Sequence, residues 1–186
     1  MGYLRLVRSD PAGPEPEPVS DHPCIQAFDR ELDYVFQTLR RLGANASDLE
    51  DLAHDVFVVL YRNWPKLDTE RPLRPYLFGV AFRIVCAHRR RRSRETPDPH
   101  PEPVGGGTTP ERALESKESA TLLFAALERV PLARRAVIVM HELDGVPMVE
   151  VAKSLSISRF GAYARWRKGR KELEAALRRL VRGRHA

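Results

Sequence analysis

Apolar residues recur every three or four positions along most of the chain, which is the period of an α-helix. The first apolar stripe covers residues 24–42 and stops at Gly43, which suits a helix C-cap. The second starts near Ser47, which has the spacing of a capping box with Glu50. The third covers residues 76–85 and leads into a run of arginines. We expect these three helices to pack together as one small domain.

The helical period returns in four segments of the C-terminal part, at residues 110–130, 131–143, 147–155 and 158–180. No alternating β pattern of any length occurs, so the predicted class is all-α. The last two segments have the spacing of a helix-turn-helix unit, with a small residue where the helices cross, a polar turn and a Ser cap. The residues in these roles are Ala152, Ser156, Ile157 and Ser158.

Proline-rich and glycine-rich segments divide the chain into four predicted parts. Residues 1–23 are a proline-rich extension that we expect to be disordered, and residues 93–109 have the composition of a flexible linker. Between and after them we expect a helical domain at 24–92 and a second one at 110–182, free to move relative to each other.

Charge is distributed unevenly over the 186 residues, whose net charge is +6. Residues 26–70 hold nine acids and five bases, whereas residues 159–186 hold ten bases and two acids. Asp48, Asp51 and Asp55 form an acidic stripe on the second helix, and arginines end the third. This asymmetry favours one protein partner and one polyanionic partner. Solvated helix faces are the alternative interpretation of each patch.

The sequence argues against an enzyme and against export. Cys24 and Cys86 lie far apart without metal-ligand spacing, which indicates a reducing, cytoplasmic environment. No secretory signal or membrane-length apolar run occurs, so no membrane insertion is expected. The six histidines are scattered, and no nucleotide-binding or hydrolase motif is present. We therefore predict a non-enzymatic protein without metal or other cofactor.

The second helix of a helix-turn-helix unit enters the DNA major groove and shows its N-terminal side chains to base edges. The outward side chains here include cations that can read guanine or neutralise phosphates. They are Arg159, Tyr163, Ala164, Arg167 and Lys168, with Ala162 and Trp166 facing inward. A basic amphipathic helix that merely packs on its neighbours is the alternative.

Two segments resemble one protein family. DLEDLAHDVFVVLYRNW (48–64) and RPYLFGVA (74–81) with its basic tail are similar to region 2 of the sigma-70 transcription initiation factors, specifically the extracytoplasmic-function (ECF) group. PMVEVAKSLSISRFGAYARWRK (147–168) resembles region 4 of the same group. The matching residues of the second segment are Asp144-Gly145, Glu150-Val151-Ala152, Ser158, Arg165 and Arg170.

The resemblance implies a monomer that binds core RNA polymerase and promoter DNA, and that an anti-sigma protein often masks. It assigns polymerase binding to Asp48, Asp51, Leu52, His54 and Asp55. It assigns the minus-ten element to Arg71, Arg74, Tyr76, Arg83, His88, Arg90 and Arg91, with a flipped-base pocket in the loop 67–75. It assigns the minus thirty-five element to Arg159, Tyr163, Ala164, Arg165, Arg167 and Lys168.

The chain departs from the family pattern at five positions. His54 and Asp55 stand where Gln and Glu are usual, and Pro147 stands where a capping Ser is usual. Gly79 and Gly161 replace Arg and Thr, and each interior glycine costs roughly 1 kcal/mol of helix stability relative to Ala. We expect a loose DNA-reading domain with an unusual minus thirty-five preference. The alternative function is a stand-alone helix-turn-helix regulator that does not bind polymerase.

Overall fold

The computed structural model describes residues 22–95 and 112–184. Throughout these ranges the chain is helical, with short turns and no strands, which confirms the predicted all-α class. The N-terminal group consists of α1 (Pro23–Arg41), α2 (Leu49–Asn63) and α3 (Arg74–Glu95). Each of these three helices packs against the other two.

Helix α1 is capped at both ends by local contacts. The His22 ring nitrogen Nδ1 accepts a hydrogen bond from the Cys24 backbone N–H at 3.1 Å. At the other end Gly43 has a φ of +83°, and its N–H donates to the Arg40 carbonyl at 2.8 Å. Glycine adopts this left-handed conformation without steric cost. The predicted helix end at Gly43 is confirmed.

The predicted capping box at the start of the second helix is wrong. A 3-10 turn covers Ala46–Asp48, α2 begins only at Leu49, and no side chain caps it. The Ser47 hydroxyl instead donates to the Asp48 carboxylate at 2.9 Å. The Asp48 carboxylate contacts His88 and Arg92 of α3. These contacts favour the 3-10 turn over an N-cap with an extended backbone.

Helix α3 is longer than predicted, since it continues past Arg92 to Glu95. The predicted extension at 1–23 lies almost wholly outside the described residues. So do most of the predicted linker at 93–109 and the predicted helix start at Pro110.

The C-terminal group consists of α4 (Arg112–Glu128), α5 (Leu132–Ile138), α6 (Met148–Ser154) and α7 (Arg159–Arg184). A π-helical turn, Val139–Leu143, extends α5. Helix α7 is the centre of this group, because it contacts α4, α5 and α6. Among the described helices, none combines the length and apolar character needed to cross a bilayer.

The turn between α6 and α7 has the predicted helix-turn-helix geometry. Ala152 is buried at the crossing, and its carbonyl accepts the Ile157 N–H at 2.9 Å. The Ser158 hydroxyl accepts the Gly161 N–H at 3.0 Å, so the predicted cap is confirmed. Ser156 has a φ of +54°, a left-handed conformation that is costly for a residue with a Cβ atom.

Replacing Ser156 with glycine is expected to raise the free energy of unfolding by about 0.5–1 kcal/mol, because glycine removes this strain. Urea denaturation would measure the change. The control is Lys153→Gly, an exposed position within α6, which should lower stability by a similar amount because the helical backbone there favours a residue with a side chain. Destabilisation by both substitutions would contradict the assignment of strain to Ser156.

The two helix groups lie against each other and share one contiguous set of buried apolar side chains. Helices α3 and α6 make the most extensive contact between the groups. At this contact Gly79 lets the Ser154 carbonyl oxygen approach, since a Cβ atom at Gly79 would lie 2.6 Å from that oxygen. The glycine that replaces the family's usual Arg therefore has a packing role.

Candidate functional site

The arginine run at the end of α3 is divided by the fold. Arg89 points inward, where its guanidinium group donates to the carbonyl oxygens of Leu42 and Gly43 at 2.9 and 3.0 Å. Burial lowers the pKa of Arg89. These carbonyls terminate α1, where the helix dipole favours a cation. Arg89 is therefore a cap for another helix and is not part of an exposed basic surface.

Arg92 and His88 both contact Asp48, which the resemblance assigned to polymerase binding. The Asp48 oxygen Oδ2 lies 3.0 Å from His88 Nε2 and 3.2 Å from an Arg92 nitrogen. Burial acts to raise the pKa of Asp48, but hydrogen bonds from Ser47 and His88 and nearby positive charge outweigh it and hold the pKa below its ordinary value. Thus Asp48 and His88, predicted for two different partners, pair with each other.

Arg90 and Arg91 are exposed and line a cavity of about 420 Å³ together with Ala87 and Arg94. The Arg90 Nε donates to the Cys86 carbonyl at 3.2 Å, which orients its stem along the helix. Three guanidinium groups around one cavity suit phosphate oxygens, which they can bind bidentately. This group of residues is therefore a candidate anion site.

The other residues predicted for the minus-ten element lie farther towards the start of α3. Arg71 pairs with Asp68 at 3.0 Å in the preceding loop. Arg74 pairs with Glu31 at 2.7 Å and lies over the Tyr34 ring at 5.1 Å. At 1.5 Å per residue, Arg74 is about 25 Å from the cavity arginines along the helix axis. The predicted set therefore extends along one helix as two separate clusters.

Tyr76 and Arg83 occupy the stretch of α3 between these clusters. Tyr76 is half-buried, and burial raises the pKa of its hydroxyl. An Arg83 guanidinium nitrogen lies 3.5 Å from the Ser154 carbonyl oxygen at the end of α6. Arg83 stays exposed, so the C-terminal helix group borders this residue without covering it.

The predicted polymerase surface on α2 keeps three of its five residues on the outside, namely Asp51, His54 and Asp55. Leu52 is only 3% exposed, so it belongs to the core and holds the helix in place. The exposed face continues beyond the predicted residues to Tyr61, which is 47% exposed. The period of the helix could have indicated Tyr61, which follows His54 by two turns.

The DNA-reading face of α7 has four exposed residues among those predicted, namely Arg159, Tyr163, Arg167 and Lys168. Ala164 and Arg165 are half-buried. Ala162 faces inward as predicted and is fully buried, whereas Trp166 is half-buried and its ring lies edge-on to that of Tyr163 at 6.4 Å.

Phe160 was not predicted as a site residue, yet it is 79% exposed in the first turn of this helix. The sequence signal was an aromatic residue two positions after the Ser158 cap.

Polar side chains join the two helix groups near the end of α1. The Asp144 carboxylate accepts hydrogen bonds from the Tyr34 hydroxyl at 2.9 Å and from Arg41 at 2.8 Å. Burial raises the pKa of Asp144 even with these partners, and burial together with the Asp144 charge raises the pKa of Tyr34. The Tyr34 hydroxyl therefore stays protonated and remains a donor. The family's acidic-Gly turn thus contacts the N-terminal helices here.

A buried arginine of α5 completes this contact. Arg135 is 2% exposed and donates to the carbonyl oxygens of Glu128 at 2.6 Å, Val130 at 3.3 Å and Leu42 at 3.1 Å. Burial, with the nearby charge of Arg89, lowers the pKa of Arg135 to about 10. Arg135 and Arg89 therefore meet at the end of α1, and Arg135 contributes one hydrogen bond that crosses between the two groups.

Residues 27–95, which cover most of α1 and all of α2 and α3, match the family described as Sigma-70 region 2. The chain therefore combines a helical segment that matches sigma-70 region 2 with a helix-turn-helix in its C-terminal part.

Two curated relatives extend the similarity. The chain is 24% identical over 159 residues to the ECF RNA polymerase sigma factor SigW of Bacillus subtilis, spanning 80% of this chain and 85% of SigW. It is 25% identical over 149 residues to the RNA polymerase sigma factor NccH of Alcaligenes xylosoxydans xylosoxydans, spanning 76% and 79% of the two chains.

Among solved structures, the sigma factor RpoE of Bartonella quintana, crystallised with the anti-sigma factor NepR, has the same fold. The TM-score is 0.61 at 18% identity, over 82% of this chain and 98% of RpoE. The region 2 match, the named relatives and this shared fold all make the chain similar to ECF sigma factors of the sigma-70 family.

Proposed function

We propose that this chain is a sigma factor that binds core RNA polymerase, directs it to one class of promoters and assists opening of the duplex. The observation that carries the proposal is the region 2 match over residues 27–95 in a chain that also has a cation-bearing helix-turn-helix. A stand-alone helix-turn-helix regulator would not require the three N-terminal helices, the exposed acids of α2 or the basic end of α3. We therefore prefer the sigma factor function.

The exposed face of α2 is the proposed polymerase contact, through Asp51, His54 and Asp55. The cavity arginines Arg90 and Arg91 are the proposed contacts to phosphates of the minus-ten element, because they remain exposed while the half-buried Arg89 points inward to the end of α1. The exposed side chains of α7 are the proposed contacts to the minus thirty-five element. None of these proposed contacts involves covalent chemistry, so the proposed role is non-enzymatic. We propose that the protein acts in the cytoplasm, where RNA polymerase transcribes DNA.

The arrangement of the two helix groups adds a condition. The face of α3 that carries Gly79 is covered by the end of α6, whereas the neighbouring Arg83 stays exposed. Separation of the two groups would uncover this face of α3 for single-stranded DNA. We propose that polymerase binding favours the separated state and that an anti-sigma protein opposes it. RpoE of Bartonella quintana was solved with such a partner, NepR.

Run-off transcription with purified core enzyme tests the function directly. With this chain added, core polymerase should produce a promoter-dependent transcript from a template that it does not transcribe alone. A regulator that only binds DNA would give no such transcript, and that result would reject the proposed function.

The combined substitutions Asp51→Lys and Asp55→Lys are expected to weaken binding to core polymerase roughly 10- to 100-fold while leaving duplex binding by the full chain unchanged. The reason is that both carboxylates are exposed on the proposed contact face, far along the chain from α7. Fluorescence anisotropy with labelled protein measures both affinities.

The matched control reverses Asp29 and Asp33, which are two exposed acids at the same spacing on α1. This control should leave core binding within about threefold of the wild type, since only a screened surface charge changes. If both pairs of substitutions weakened core binding equally, the effect would come from general charge, and α2 would not be the specific polymerase contact.

A further inference from the structure

Phe160 is the most exposed large apolar side chain in the described part of the chain, with 79% of its surface open to solvent. It lies in the first turn of α7, where the Ser158 hydroxyl holds the Gly161 N–H and fixes the helix start. An exposed phenylalanine forgoes the stabilisation that burial of its ring would provide. Its place at the proposed DNA-reading end of the helix gives a reason for this exposure.

The neighbours of Phe160 form a narrow apolar strip bordered by positive charge. Tyr163 and Ala164 follow by three and four residues, so they share a face with Phe160, and Tyr163 is 43% exposed. Arg167 continues the same face one turn later, and Arg159 directly precedes Phe160. Both arginines are exposed. The surface therefore suits a polyanion that also presents small apolar groups.

Duplex DNA has this combination in its major groove. Phosphates line the groove, and the C5 methyl group of thymine is the apolar feature on its floor, where Ala and Phe side chains contact it. An anionic membrane surface is a less suitable occupant, because the apolar strip is short and most of the other exposed residues of α7 are charged.

We propose that Phe160, with Ala164 beside it, reads thymine methyl groups in the duplex element bound by α7. This inference rests on the proposed function and extends it, because it assigns the specificity of the site to a residue outside the predicted set. The bound element should contain thymine at one or two positions where the methyl group, rather than a hydrogen bond, decides affinity.

Deoxyuridine provides the test, since it differs from thymidine only by the missing methyl group and keeps the same hydrogen-bonding edge. Duplexes are first selected from a random library by the full chain in complex with core polymerase. Each thymine of the selected sequence is then replaced in turn by deoxyuridine. We expect one or two replacements to weaken binding about three- to fivefold, which corresponds to the loss of one buried methyl group.

Phe160→Ala should bind thymidine and deoxyuridine duplexes equally, and its affinity for the thymidine duplex should fall to that of wild type on deoxyuridine. The control, Val149→Ala, removes an apolar side chain that is 49% exposed on α6 and should keep the wild-type discrimination. Because Phe160 is exposed, the thermal midpoint of its variant should stay unchanged, which separates specificity from folding.

Three results would overturn the inference. The first is a selected duplex that contains no thymine, or one whose affinity does not change when deoxyuridine replaces thymidine. If promoter-dependent transcription still proceeds in that case, the proposed function stands and only this inference is rejected. The second is discrimination that Phe160→Ala retains. The third is binding to vesicles of anionic phospholipid that exceeds duplex binding and disappears in Phe160→Ala. Failure of both transcription and duplex selection would instead reject the proposed function.

Discussion

Replacing Arg135 with alanine is expected to lower the free energy of unfolding by about 3 kcal/mol, the largest stability effect that we predict for one substitution. The Arg135 side chain is 2% exposed, and its guanidinium group donates to the carbonyl oxygens of Glu128, Val130 and Leu42. Alanine removes the donor from all three oxygens and leaves a cavity in the interior. Urea denaturation of the full chain measures the loss.

Two further variants separate the causes of this loss. Arg135→Met keeps most of the side-chain volume but none of the donors, so it should cost about 2 kcal/mol. Arg134→Ala is the control: its Nε pairs with a Glu172 oxygen at 2.7 Å, but both side chains are about one-third exposed. The control should cost at most about 1 kcal/mol. Similar losses at positions 134 and 135 would contradict the role of the buried hydrogen bonds.

Replacing Gly79 with alanine is expected to separate the two helix groups. The new Cβ atom would lie 2.6 Å from the Ser154 carbonyl oxygen, which belongs to the backbone and cannot rotate away. Overpacking of this kind costs about 1–3 kcal/mol, which disfavours the closed arrangement by roughly 5- to 150-fold. Helix α3 itself gains about 1 kcal/mol from the better helix former. The fold of the N-terminal group is therefore preserved.

Two measurements would detect separation of the two helix groups in the Gly79→Ala variant. The radius of gyration from small-angle X-ray scattering should increase. The affinity of the full chain for single-stranded DNA should also rise, because the face of α3 beside the exposed Arg83 would no longer be covered by the end of α6. The control is Gly183→Ala in α7, where the new Cβ atom meets no described atom within 4 Å. A compact Gly79→Ala protein with unchanged DNA affinity would show that the contact is not a barrier to binding.

Helix boundaries and faces were largely predictable because they depend on the spacing of residues that are close together in the sequence. The apolar period located α1, α6 and α7 within a few residues, and the caps at Gly43 and Ser158 formed as expected. The capping box at Ser47 failed because a cap competes with other partners of the same side chains, and Asp48 finds His88 and Arg92 forty residues away. A four-residue pattern contains no information about such partners.

The candidate site was predictable only as a list of residues. The run of four arginines appears uniform in the sequence, yet Arg89 caps α1, Arg92 pairs with Asp48, and Arg90 and Arg91 line the cavity. The reason is geometric: successive residues on a helix point about 100° apart, so a run of like charges cannot all face one partner.

The sequence by itself determined that this protein is helical, that its second helix is acidic on one side, and that a helix-turn-helix with a basic second helix ends the chain. These properties follow from spacings of a few residues. Only the tertiary structure decided that Arg135 is buried against Leu42, that Gly79 admits the end of α6, and that Phe160 stays exposed. Burial depends on contacts between segments that are 71 and 93 residues apart in the sequence, and no local pattern encodes which charged or aromatic side chain lies at such a contact.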